Sequence, residues 1–172
     1  KNMCEHYGLP LDVVKIGFKY ICNIMVNEDV LVGGEESGGI AIKGHIPERD
    51  GIWMGITIWE FMAKTGKSLN ELIEEVYAIT GTFCFERNDL HIDETIKAKV
   101  LQNCKSNSYQ QFGKYKVQRI EDLDGYKFFF DENTWMMIRA SGTEPVLRVY
   151  AEAANKEKAD DILADARKVL LG

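Results

Sequence analysis

Two apolar runs joined by a short polar turn constrain this chain more than any other feature. Residues 136–140 are apolar apart from Arg139, residues 146–150 alternate around Arg148, and Ser141-Gly142-Thr143-Glu144-Pro145 lies between them. The pattern reads as strand, tight turn, strand. Two arginines flanking a turn of hydroxyls and glycine have the chemistry of an anion seat. A guanidinium presents a planar fork of donors that matches phosphate oxygens, and Ser141 and Thr143 add hydroxyl donors. Gly142 permits a left-handed backbone and close approach of successive N–H groups. Pro145 fixes its own φ and pushes Glu144 toward an extended conformation. On residue chemistry alone, a phosphate or carboxylate seat and an ordinary hairpin turn with two surface arginines both fit.

The 172 residues suffice for one large or two small domains, and the net charge of −6 argues against broad nucleic-acid binding, which needs a basic face. A local arginine pair on an acidic chain points instead to a small anionic ligand. The apolar runs are too short to span a bilayer, and no signal peptide is evident. Cys4, Cys22, Cys84 and Cys104 lack metal-type spacing and read as buried free thiols, which fits a reducing cytoplasm. His6, His45 and His91 do not cluster. Residues 1–7 read like the tail of a helix, so the chain is expected to be a piece of something longer.

Along the chain, residues 12–17 (DVVKIG) and 30–32 read as buried strands on either side of a helix over 18–27, which implies a βαβ unit with a parallel sheet. The second strand runs into Gly33-Gly34-Glu35-Glu36-Ser37-Gly38-Gly39, at the strand end where open α/β sheets bind ligands. This loop is neither a Walker loop nor GxGxxG. Its carboxylates can accept hydrogen bonds from sugar hydroxyls, although a solvated acidic turn has the same composition. Asp50 caps a helix over 51–65, and Ser68-Leu69-Asn70-Glu71 is a capping box opening another that stops at Gly81. Beyond it, strands over 82–86, 115–120, 126–131 and 134–140, and the strand after the SGTEP turn, alternate with helices over 93–105 and 154–170. The second half is expected to be α+β, a mostly antiparallel four-stranded sheet with helices on one face. The domains expected are 1–66, a connecting helix and hinge over 67–81, and 82–172.

RASGTEPVLRVY resembles the phosphate-binding loop of the fourth domain of the α-D-phosphohexomutases, the phosphoglucomutases and phosphomannomutases. GGEESGG resembles the sugar-binding loop of their third domain, with IGFKYI before it and HIPERDGI after it. The order and separation of the motifs fit, and the resemblance covers essentially the whole chain.

The resemblance implies that Glu35 and Ser37 bind sugar hydroxyls, with Glu36 at a variable position. It puts Arg49 at the basic position before Asp-Gly, and makes Lys19 and His45 further sugar-site candidates. It gives Arg139, Ser141, Gly142 and Thr143 the phosphate that is not being transferred, with Arg148 adding charge or bracing the loop. The family's phosphoserine loop and its aspartate-rich magnesium loop have no counterpart in the sequence. The chain is therefore expected to be the last part of the third domain plus the fourth, with no catalytic or metal residue of its own and inactive alone. In the full-length enzyme the resemblance implies an isomerase of the cytoplasm that interconverts hexose 1-phosphate and hexose 6-phosphate. The implied cofactors are Mg2+ and glucose 1,6-bisphosphate, and the implied partners are hexose phosphates and the protein's own N-terminal domains, not nucleic acid or membrane. Other readings are a phosphoglucosamine mutase or phosphopentomutase, and a non-enzymatic phosphosugar-binding module.

Overall fold

The computed structural model describes residues 1–141 and 145–172. The chain divides into two compact units, Lys1–Thr80 and Gly81–Gly172.

The first unit opens with α1 (Asn2–Tyr7), closed by Gly8 at φ 64°. The apolar spacing of α2 (Phe18–Asn27) buries Phe18. β1 (Val32–Gly34) and β2 (Ile40–Ile42) form an antiparallel hairpin, Val32 facing Ile42 and Gly34 facing Ile40. Asp50 caps α3 (Gly51–Thr65), its Oδ1 accepting from the N–H groups of Ile52 (3.1 Å) and Trp53 (2.9 Å), and Gly66 ends it at φ 68°. The capping box opens α4 (Leu69–Thr80), where Glu71 Oε2 accepts from Ser68 N (2.8 Å) and Ser68 Oγ (2.7 Å). The helix expected at the domain connection thus belongs to the first unit, where Asn2 Nδ2 donates to Thr80 O (3.4 Å).

The two buried parallel strands are not formed. Residues 12–17 make no strand, β1 begins at Val32, and its partner is antiparallel. A buried parallel strand needs neighbours on both edges and a layer on each face. Residues 1–80 do not supply them, since Val13 and Leu31 are 71% and 63% exposed. The periodicity reported apolar character correctly but could not report which residues would cover it.

The second unit runs β3 (Cys84–His91), α5 (Glu94–Lys105), β4 (Gln111–Phe112), β5 (Tyr115–Lys116), β6 (Arg119–Glu121), β7 (Tyr126–Phe129), β8 (Trp135–Ala140), β9 (Val146–Ala153) and α6 (Lys156–Leu171). The sheet has five strands rather than four, in the order β3-β9-β8-β7-β6, every pair antiparallel. The additional strand is β3, longer than the sequence suggested, and paired along the whole of β9 from Cys84↔Ala153 to His91↔Val146. The expected strand over 115–120 is split. β5 closes a small hairpin with β4, Val117 N donates to Gln110 O, and Gln118 N crosses to Phe129 O before β6 joins β7.

Alternation sorts the sheet's residues by face. Met136, Ile138, Leu147, Val149 and Ala151 point at the helices and pack with Val100 and Cys104 of α5 and Ala159, Ile162 and Ala166 of α6. Full burial of each Leu, Ile, Val or Met side chain contributes about 1.5–3 kcal/mol, so this layer fixes the strands that carry Arg139 and Arg148. The four cysteines are free, but Cys104 alone is buried and the others are partly so. Burial pushes the Cys104 thiol up to about 12, which keeps it protonated and unreactive at neutral pH. Cys104 should stay unmodified by an aromatic disulfide reagent at pH 8 and react only after denaturant is added, with peptide mapping as the readout. Labelling in the native state would contradict this packing.

Candidate functional site

In the first unit, the glycine-rich loop folds back on itself. Glu35 N donates to Gly39 O (2.9 Å) and Gly38 N to Glu35 O (3.0 Å). This turns the Glu35 side chain inward, to 12% exposure. Its Oε1 accepts from Gly17 N (3.1 Å) and its Oε2 from Arg49 Nη1 (3.2 Å). Gly39 leaves the space that Arg49 occupies, since a Cβ there would lie 2.6 Å from Arg49 Cδ and push the side chain aside. Arg49 crosses the Phe18 ring at 5.3 Å and meets Glu48 Oε1 at 3.4 Å, yet its side chain stays about half exposed. The result is a fixed carboxylate with lone pairs left for hydroxyl donors, beside a guanidinium with spare N–H groups.

The other sugar-site candidates lie at varied positions. Ser37 is exposed on the same loop. His45 Nε2 meets Asp50 Oδ2 at 2.9 Å and its ring stacks on Trp53 at 4.5 Å, which engages it with the cap of α3. The Trp53 N–H bond, then His45, holds the Asp50 carboxyl below its ordinary range. Lys19 is exposed on α2, with Nζ 4.9 Å from the Tyr20 ring, and is not brought into the Glu35–Arg49 pair.

In the second unit, sheet register assembles a row of charges. Asp89 faces Arg148 across β3 and β9, and Arg148 faces Arg139 across β9 and β8. Directly opposed like charges repel, so the two guanidiniums gain from an anion at their end of the sheet. Arg139 Nε also lies 3.8 Å from Asp124 Oδ2. Asp124 is delivered by Gly125, whose φ is 92° and whose missing Cβ would sit 2.6 Å from Ile138 O and 3.4 Å from Arg139 Cβ. Ser141 follows β8 and is buried, and its N–H donates to Val146 O (3.0 Å). Gly142 and Thr143, assigned to phosphate by the sequence, lie outside the described residues.

Sequence reasoning missed Gly17, Asp124 and Lys97, whose Nζ donates to Ser141 O (3.1 Å). An Asp-Gly pair between apolar runs was the available signal for Asp124. Nothing local marked Lys97.

The arrangement defines a class: a glycine-rich loop with a carboxylate–guanidinium pair on the first unit, followed by an α+β unit with an arginine pair at a strand end. Family models give the class its name. Residues 1–79 match "Phosphoglucomutase/phosphomannomutase, alpha/beta/alpha domain III", and residues 95–169 match "Phosphoglucomutase/phosphomannomutase, C-terminal domain". The chain belongs to the phosphoglucomutase/phosphomannomutase family and carries sequence of its third and C-terminal domains. It is 31% identical to a phosphoglucomutase/phosphomannomutase of Thermococcus kodakarensis over 98% of this chain and 35% of that protein. It is equally 31% identical to a phosphoglucosamine mutase of Methanococcus maripaludis, over 92% of this chain and 34% of the relative. The crystal structure of a Thermus thermophilus protein assigned as a phosphomannomutase superposes with a TM-score of 0.78 at 32% identity, over 99% of this chain and 33% of that one. The chain spans about a third of the length of these relatives.

Proposed function

We propose that this chain is the sugar- and phosphate-binding part of a mutase that interconverts hexose 1-phosphate and hexose 6-phosphate. The observation that carries the reading is the pairing of two sites in the matched domains: the Glu35–Arg49 pair on the first unit, and the Arg139–Arg148 pair on the second. A ring with vicinal hydroxyls and a phosphate needs both kinds of partner. In the reaction proposed, a phosphoserine elsewhere in the enzyme loses its phosphoryl group to the free sugar hydroxyl, giving a bisphosphate. The other phosphate then returns to the serine, so phosphorus and charge balance over the cycle. Glucose 1,6-bisphosphate is the intermediate expected to prime the enzyme.

This chain's residues bind and orient. Glu35 accepts from hydroxyls, Ser37 and Arg49 add donors, and Arg139, Arg148 and Ser141 hold the phosphate that is not transferred. Such groups act by position and electrostatics. Among the described residues no group of three or more His, Cys, Asp or Glu could hold a metal ion. The magnesium that the family resemblance implies belongs, on this reading, to the aspartate-rich loop of another domain of the enzyme. No helix among the described residues is long and apolar enough to cross a membrane, and the free thiols favour the cytoplasm.

The test is 31P NMR of the complete enzyme with glucose 1-phosphate, mannose 1-phosphate and glucosamine 1-phosphate. Conversion to 6-phosphates supports the reading, and inertness toward all three ends it. Preference for glucosamine phosphate would favour the second reading, which rests on relatives named phosphoglucosamine mutases. Glu35→Gln removes a charged acceptor, so kcat/KM should fall in both directions by about 10- to 150-fold, the equivalent of one charge-assisted hydrogen bond of about 1.5–3 kcal/mol. Unchanged kinetics in both directions would reduce Glu35 to a brace for Arg49.

A further inference from the structure

We propose that Lys97 is a positioning residue of the phosphate clamp, an inference that rests on the phosphate reading of Arg139 and Ser141 above. Lys97 lies in the first turn of α5 and is only 8% exposed. Lysine is almost never buried to this degree unless its charge is met. A cation in the first turn is also disfavoured by the helix dipole. Both costs are carried at this position.

What the ammonium does there is specific. It donates to Ser141 O at 3.1 Å and meets Glu94 Oε1 at 3.3 Å. Ser141 is therefore held by both backbone groups, its N–H on Val146 O of β9 and its carbonyl on Lys97. Two consequences follow for an arriving phosphate. The carbonyl oxygen of Ser141, which would repel an anion, has its lone pair engaged by a cation. A buried positive charge is placed against the residue that lies two positions along the chain from Arg139, where low dielectric screens it poorly and its field adds to that of the arginines. Lys97 need not touch the ligand. It fixes the residue that does, and raises the local potential.

The experiment compares Lys97→Met, Lys97→Arg and Arg139→Ala in the complete enzyme, with glucose 6-phosphate as the probe. Lys97→Met keeps the stem and removes the charge. KM for glucose 6-phosphate should rise about tenfold, the size of one charge-assisted bond, while kcat changes far less. Lys97→Arg, which keeps the charge, should recover part of that loss. Should Lys97→Met fail to fold, the wild type still decides. The Lys97 side-chain NMR resonances should shift on titration with glucose 6-phosphate, with the same midpoint as binding, and should not shift in Arg139→Ala. A wild-type KM in Lys97→Met, or Lys97 resonances blind to saturating ligand, overturns the proposal while Arg139→Ala still loses affinity. If Arg139→Ala binds as tightly as wild type, the phosphate reading itself fails and the role of Lys97 falls with it.

Discussion

Arg139→Ala in the complete enzyme should lower kcat/KM for hexose phosphates by about 100-fold. Loss of a charge-assisted, two-pronged contact costs about 3 kcal/mol, and each 1.36 kcal/mol is about tenfold. The fold should be indifferent to the change. Arg139 lies opposite Arg148 on the sheet face away from the helices, so its removal relieves a like-charge contact and leaves the core intact. Steady-state kinetics in both directions, with circular dichroism and melting temperature as controls, tests the claim. Wild-type kcat/KM in a folded Arg139→Ala enzyme would move the phosphate seat elsewhere.

The second large effect is on stability. Gly125→Val should lower the melting transition of the second unit by more than about 10 °C. At φ 92° a β-branched residue is strained, and its Cβ would stand 2.6 Å from the backbone oxygen of Ile138, which cannot step aside. Strain and overpacking each cost about 1–3 kcal/mol, and 1 kcal/mol moves the melting point of a domain this size by about 4–8 °C. Gly125→Ala should show the same sign with a smaller shift. Because the new Cβ also presses on Arg139 Cβ at 3.4 Å, ligand affinity should drop with stability. A Gly125→Val protein that melts like wild type would mean that the Asp124–Gly125 turn rearranges freely.

The parts of this fold that were legible in the sequence are those whose stabilisation is local. Asp50 and Gly66 bracket α3, and Ser68 and Glu71 open α4, because a cap needs only its own helix. Strands need partners, and partners are remote. Residues 12–17 have the apolar character of a strand but no edge to pair with among residues 1–80, whereas β3 lengthens to eight residues because β9 offers it a full ladder. The site divides the same way. Glu35, Arg139 and Ser141 stand in motifs, so they could be named from the sequence. Gly17, Asp124 and Lys97 reach them from 18, 15 and 44 residues away, as Gly17–Glu35, Asp124–Arg139 and Lys97–Ser141. Only folding brings such groups together.

The strand order has a consequence for solubility. β8 and β9, whose apolar runs would be the most adhesive surfaces of the chain if exposed, occupy interior positions in the sheet. The two borders are left to β6, only three residues long, and to β3. β3 spells Cys-Phe-Glu-Arg-Asn-Asp-Leu-His, and Lys156 clasps its Glu86 at 2.8 Å. A stranger's strand that docked along this border would have to strip water from Glu86, Arg87 and Asp89 in succession. Short borders and charged borders are the usual guards against sheet-to-sheet aggregation, and this unit has one of each.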